Sequence, residues 1–213
     1  FLAMLALDVI SPSGWMAFWL WGLGYELALA GLIASTFHLG RAERALKAFT
    51  QWRSSWLSRE AWASAATLTA LAPLALSDLF GIAVPTPFGW IAAAMCFATV
   101  FTTSMIYTQI KAVPRWHHWI TPVMFLSFAA TGGLILAGQN LAPAACLALA
   151  GVMTLTFRLG DGRFAKAGAT LGSATGLDRI GTPSVFEQPH TAGNYLLREM
   201  IFVVGRKHAQ KLR

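Results

Sequence analysis

The sequence predicts an all-α integral membrane protein, an up-and-down bundle of transmembrane helices, on three observations. Hydrophobic residues fill 56% of the 213 positions, charged residues 12%, and mean hydropathy is +0.56, too apolar for a domain with a solvated surface. Apolar runs of the ~20 residues that a bilayer core requires recur along the chain. All 16 Lys and Arg fall in alternate connections between those runs, as membrane insertion arranges them.

FLAMLALDVI (1–10) reads as the tail of a partial first span, with Phe1 standing inside an apolar run as at a clipped end. SPSG (11–14) then breaks the chain. Five whole spans are expected at 14–37, 61–80, 87–107, 117–137 and 141–157, separated by GIAVPTP, AVPRW and GQN at the short connections. Connections this short force antiparallel neighbours. Small residues such as Ala63, Ser64, Ala65 and Ala66, or Ala92, Ala93 and Ala94, let helix backbones approach closely. Cys96 and Cys146 lie inside apolar runs with no neighbouring ligand, which points to packed thiols rather than a disulfide or a metal site.

The long connection at 38–60 is a surface loop of this bundle, spanning 1–157. Within it AERALKAFTQW has the spacing of a short amphipathic helix lying on the membrane surface, and Ser58 can cap a helix starting at Glu60. Residues 158–213 form a basic segment rich in Gly, Ala, Ser and Thr, expected to have little helix of its own and to dock a partner, with His190 solvated or against it. Its end, NYLLREMIFVVGRKHAQKLR, is expected to lead toward a further helix.

The charges orient the bundle. One side receives Arg41, Arg44, Lys47, Arg53 and Arg59, then Lys111 and Arg115, then every Lys and Arg from Arg158 onward; the other side receives none. The rule that basic residues stay inside puts 35–60, 108–117 and the tail in the cytoplasm. The net charge of +7 therefore calls for no nucleic acid, although a basic loop facing an acidic protein partner gives the same pattern.

Two blocks bear a family resemblance. The stretch S-x-x-H-L-G at Ser35–Gly40, followed by R-A and then by L-S-x-E at Leu57–Glu60, resembles the membrane anchor subunits of the dimethyl sulfoxide reductase family. IYTQIKAVPRWHHWITPVMF (106–125) resembles the same family's helix–turn–helix block, and the tail is similar to the branch serving cytoplasmic-facing sulfite dehydrogenases. The resemblance is best from about 30 to 130 and implies a bundle that usually has eight helices. It implies partners as well: a molybdopterin catalytic subunit and a four-cluster iron-sulfur subunit, held at the cytoplasmic face of a bacterial inner membrane. It also implies electron exchange with ubiquinone or menaquinone, here from sulfite oxidation to quinone. The alternatives are a quinol-oxidising anchor of a sulfoxide or N-oxide reductase, a haem b cytochrome subunit, or a transporter fragment. The anchor is itself not the catalytic subunit.

Quinone chemistry moves two electrons and two protons, so a pocket needs hydrogen-bond partners for both ring oxygens and a protonatable group. His38, at a helix end, is either the headgroup ligand that the resemblance implies or an interfacial histidine bonding a carbonyl. Glu60 can relay a proton or complement a helix dipole. Arg44 can hold the headgroup, pair with Glu60 or serve as a topological charge. Tyr107, Trp116 and Thr121 offer an aromatic wall with a hydroxyl, or belong to the interfacial belt. Glu26, near the middle of a span, suits a proton path. His117 and His118 raise the haem alternative, but no histidine lies in the middle of a span. Asp8 and Asp78 are expected to be solvated.

Overall fold

The apolar runs fold as helices in the expected order. A computed structural model describes residues 1–37, 42–168 and 170–184, without the side chains of 42–44. Helices α1 (Leu2–Ala6), α2 (Gly14–Thr36), α3 (Trp56–Phe80), α4 (Thr86–Thr108), α5 (Ile120–Leu136) and α6 (Ala142–Ala167) follow one another, and no strand occurs among the described residues. Four of them, α2, α3, α4 and α6, are long and apolar enough to cross a membrane. Helix α5 has 17 residues, roughly 25 Å at 1.5 Å per residue, near the lower limit for a span.

Neighbours in sequence pack side by side from α2 to α6. Alternation then gathers Lys47, Arg53, Arg59, Lys111, Arg115, Arg158, Arg163 and Lys166 at one end of the bundle, called the basic end below. Helix boundaries follow local chemistry. Pro87 opens α4 where its missing N–H costs nothing, and α3 closes on Gly81, whose left-handed φ of 70° lets its N–H reach Ser77 O at 2.7 Å.

Three boundaries differ from the sequence expectation. Helix α3 starts at Trp56 with Ser55 at the N-cap position; Ser58 is therefore inside the helix, buried, and its Oγ has no hydrogen-bond partner, so it caps nothing. The surface stretch does form a short helix, over Ala42–Phe49, but of the 3-10 type. Its last turn is tied off: Thr50 N–H bonds Lys47 O at 3.1 Å, and Trp62 Nε1 donates to Phe49 O at 3.0 Å. Arg59 fastens the following turn by donating to Trp52 O and Arg53 O. Helix α6 runs on past 157, through RLGDGRFAKA, because these residues include good helix formers and no proline, and it ends before Gly168, at φ +56°.

Helix α1 is surrounded by α2, α3, α4 and α5. Its Ala3, Leu5 and Ala6 are buried together with Ala17, Trp21, Leu71, Ala92 and Ala93. Two glycines permit this. A Cβ on Gly89 would overlap the Ala6 carbonyl oxygen, and one on Gly133 would come within 2.9 Å of Phe1 N. The outward surface is apolar, with Trp15, Trp19, Ile33, Trp90 and Leu147 exposed, the pattern of helices solvated by lipid. Helix α6 buries only Gly160 among its residues.

The chain divides after Ala167, and Gly168–Arg213 forms a separate unit. Within it α7 (Leu171–Thr175) is held by a reciprocal cap: Ser173 N–H donates to Thr170 Oγ1 at 3.1 Å and Thr170 N–H to Ser173 Oγ at 2.8 Å. His190 and the stretch NYLLREMIFVVGRKHAQKLR lie outside the described residues.

Candidate functional site

Helices α3 and α4 meet along a polar seam that the apolar lettering of the sequence conceals. Glu60, Ser64 and Thr67 recur at helical spacing on α3, as do Thr99 and Thr103 on α4. Across the seam Thr103 Oγ1 donates to Glu60 Oε1 at 2.6 Å, and the Thr67 and Thr99 hydroxyls lie 2.9 Å apart. Thr67 and Thr99 also both bond the Met95 carbonyl, at 3.2 and 3.0 Å. The Thr67, Thr99 and Thr103 hydroxyls are thereby satisfied inside the bundle, where an unpaired one is costly.

This seam forms one wall of a cavity of about 720 Å³. Gly24, Ala28, Gly31 and Ser35 of α2 and Phe128, Ala129 and Gly132 of α5 close it on the sides, and Phe1 with Leu2 and Met4 of α1 also line it. The lining is apolar apart from Glu60, Cys96 and the seam and Ser35 hydroxyls. Glu60 sits at the basic end, and Ser35 lies three residues before His38. A carboxylate held by a hydroxyl within an apolar hollow can bind a polar headgroup and exchange a proton with it.

The other expected residues are not all gathered there. Tyr107, Trp116 and Thr121 meet one another at the α4–α5 turn, outside the cavity lining. The Tyr107 and Trp116 rings stand edge to face at 5.6 Å, Phe125 lies 5.4 Å from Tyr107, and buried Thr121 donates to Trp116 O at 2.8 Å. Their bonds build the turn. His38 lies outside the described residues, and of Arg44 only the backbone, within the 3-10 helix, is described. Glu26 is exposed and absent from the cavity lining; at ~100° per residue it falls on the side of α2 opposite Ala28 and Gly31, so it does not extend the seam.

His117 Nδ1–H donates to Thr108 O at 2.6 Å, whereas His118 Nδ1 accepts from Ile120 N–H at 3.1 Å and so caps α5. Loss of water around the ring, and secondarily the Arg163 guanidinium, hold His118 below the ordinary histidine value. Among the described residues no three His, Cys, Asp or Glu side chains converge as metal ligands. The thiol of Cys96 is half-buried and lines the cavity, while Cys146 is exposed on α6 rather than packed. Asp78 is not simply solvated: it accepts a hydrogen bond from buried Trp21 Nε1 at 2.8 Å and joins α2 to α3 at the end opposite the basic one.

Glu60 was visible in the sequence, but Thr67, Thr99 and Thr103 were not singled out. Their signal was hydroxyls three or four residues apart on two consecutive spans, Ser64 and Thr67 beginning one turn after Glu60 on the first, Thr99 and Thr103 on the second.

Residues 15–160 match the family described as DMSO reductase anchor subunit (DmsC). A sulfite dehydrogenase subunit from Allochromatium vinosum is 33% identical over 132 residues, covering 52% of this chain and 38% of that protein. The chain thus spans well under two thirds of that relative's length. No solved structure matches the chain.

Proposed function

The chain belongs to the DMSO reductase anchor subunit family, and from that membership we propose that it anchors a molybdopterin and iron-sulfur oxidoreductase to the bacterial inner membrane and exchanges electrons with quinone. The observation that carries this reading is Glu60, an acid bonded to Thr103 at the basic end of an apolar cavity of about 720 Å³. That volume lies within the range of small-molecule sites. A bound quinone supplies a carrier of two electrons and two protons. Glu60 accepts or donates a proton at Oε2 while Thr103 fixes Oε1, and Ser35 offers a second hydroxyl on the facing helix. The apolar walls exclude water beyond the headgroup. The family resemblance adds His38 and Arg44, which follow α2 in sequence, as further headgroup partners. The reading needs only the Glu60 end of the cavity. Tyr107, Trp116 and Thr121 shape the neighbouring turn, and Glu26 takes no part.

Sulfite is the favoured electron donor, supported by the name of the Allochromatium vinosum relative. The charge segregation supports a cytoplasmic basic end and therefore a cytoplasmic four-cluster iron-sulfur partner. In membranes carrying the assembled complex, Glu60→Gln and His38→Ala should retain the partner subunits and lose sulfite-driven quinone reduction. Unchanged turnover in both variants overturns the site. For orientation, Gln51→Cys in a cysteine-free background should react with an impermeant thiol reagent only from the cytoplasmic side; labelling from outside reverses the assignment.

A further inference from the structure

A second cleft at the basic end has the opposite character from the Glu60 cavity. It encloses about 610 Å³ between the α4–α5 turn and the last turns of α6, and its charged lining is Lys111, Arg158, Arg163 and Lys166, beside His117 and His118. No acid lines it. Asp161, the acid within this part of α6, is engaged by Arg115 Nε at 3.0 Å, whose guanidinium also stacks on Phe164 at 4.4 Å from the ring centroid. Four cations facing one hollow repel each other, so the arrangement calls for an anion.

We propose that this cleft binds the phosphate headgroup of an anionic phospholipid. Depth supports a lipid source. Helix α6 has 26 residues, about 39 Å at 1.5 Å per residue against a hydrocarbon core of about 30 Å. Counted from Ala142, Arg158 stands roughly 24 Å along that axis, Arg163 roughly 32 Å and Lys166 roughly 36 Å, so the cations straddle the edge of the core, Arg163 and Lys166 in the headgroup layer and Arg158 within snorkelling reach of it. Residues 158, 159, 162, 163 and 166 share one face of α6, because they repeat at the four-residue helical interval. Below them the same helix buries only Gly160 and presents exposed Leu155 and Phe157, a surface along which acyl chains can lie. Trp119, 63% exposed beside the turn, suits the same interface. Basic clefts between membrane helices at this level are sites for anionic headgroups. The proposal rests on neither the orientation of the bundle nor the quinone reading.

The test is native mass spectrometry of the intact detergent-solubilised complex, titrated separately with phosphatidylglycerol, phosphatidylcholine and inorganic phosphate. Phosphatidylglycerol should bind in preference to phosphatidylcholine. Arg158→Gln with Arg163→Gln should weaken it roughly thirtyfold, taking about 1 kcal/mol per cation near the surface. Lys111→Gln with Lys166→Gln should do the same, and Lys47→Gln with Arg53→Gln, which removes equal charge elsewhere at the basic end, should not. Equal retention of both lipids, or equal weakening by the control pair, overturns the proposal. Displacement of the lipid by millimolar inorganic phosphate makes the cleft a site for soluble phosphate instead. Loss of partner subunits from the cleft variants, with lipid binding unchanged, makes it a docking site for an acidic protein surface and equally refutes the lipid assignment.

Discussion

The α3–α4 seam and the cleft beside α6 lie at the same end of one bundle and solve opposite problems. In the seam a half-buried carboxylate at the edge of an apolar cavity is held by one threonine, with the neighbouring hydroxyls paired behind it. In the cleft cations are left with no lining acid among the described residues, and the histidines beside them are spent on backbone groups. The contrast separates groups placed for chemistry from groups placed for location. A charge inside the bundle must be held by specific partners, whereas charges in the headgroup layer need only a generic anion.

The largest effect that tests this contrast belongs to the seam. Glu60→Gln keeps the shape and a hydrogen bond but removes the exchangeable acid, and quinone-linked turnover should fall on the order of a hundredfold, the lower range for general acid–base catalysis. Subunit recovery on purification should stay at the wild-type level; a loss of assembly instead would make Glu60 structural. Next comes Thr103→Val, which leaves the carboxylate in place without its partner. Turnover should drop about tenfold, as expected for a hydrogen bond to a charged group worth about 1.5 kcal/mol. A pH–rate profile unchanged in that variant would show that Thr103 does not position the acid.

At the turn the expected effects are smaller. Thr121→Val removes the bond to Trp116 O and should lower stability by about 1 kcal/mol, read as a shift in the thermal midpoint of the complex with turnover preserved. A comparable loss of turnover would move the headgroup site toward Tyr107 and Trp116. The smallest effect concerns His118, whose folded value lies below its ordinary one. The capping bond to Ile120 should be complete above about pH 6.5, the unperturbed histidine value, and be lost as pH falls through the lower folded value. Hydrogen exchange at the Ile120 amide should accelerate in acid, and His118→Ala should remove that dependence; an amide indifferent to pH would refute the cap.

The all-helical class and the order of the helices from α1 to α6 were legible because bilayer length and charge segregation act on composition, which a sequence displays directly. Local geometry was less legible. Ser58 looks like a cap by type, but Ser55 stands where the chain turns extended, with φ −114° and ψ 126°, and the helix had already begun. The 3-10 form of Ala42–Phe49 depends on Trp62, a residue on another element. Within the candidate site Glu60 stood out as an ionisable group at a helix start. Thr103 did not, because a threonine in a span is ordinary until the facing helix is known. The Tyr107, Trp116 and Thr121 group was legible as a cluster but not as a turn, since aromatic residues near an interface serve either purpose.

The grip on α1 has a consequence for how the protein is made. Its contacts at Gly89 and Gly133 join α1 to segments that leave the ribosome much later. While α2 and α3 enter the bilayer, α1 has few of its final neighbours, and its place between α4 and α5 does not yet exist. Assembly of the centre must therefore wait for the fifth helix, and a nascent chain stalled before α5 should remain an open hairpin array, exposed to quality-control proteases.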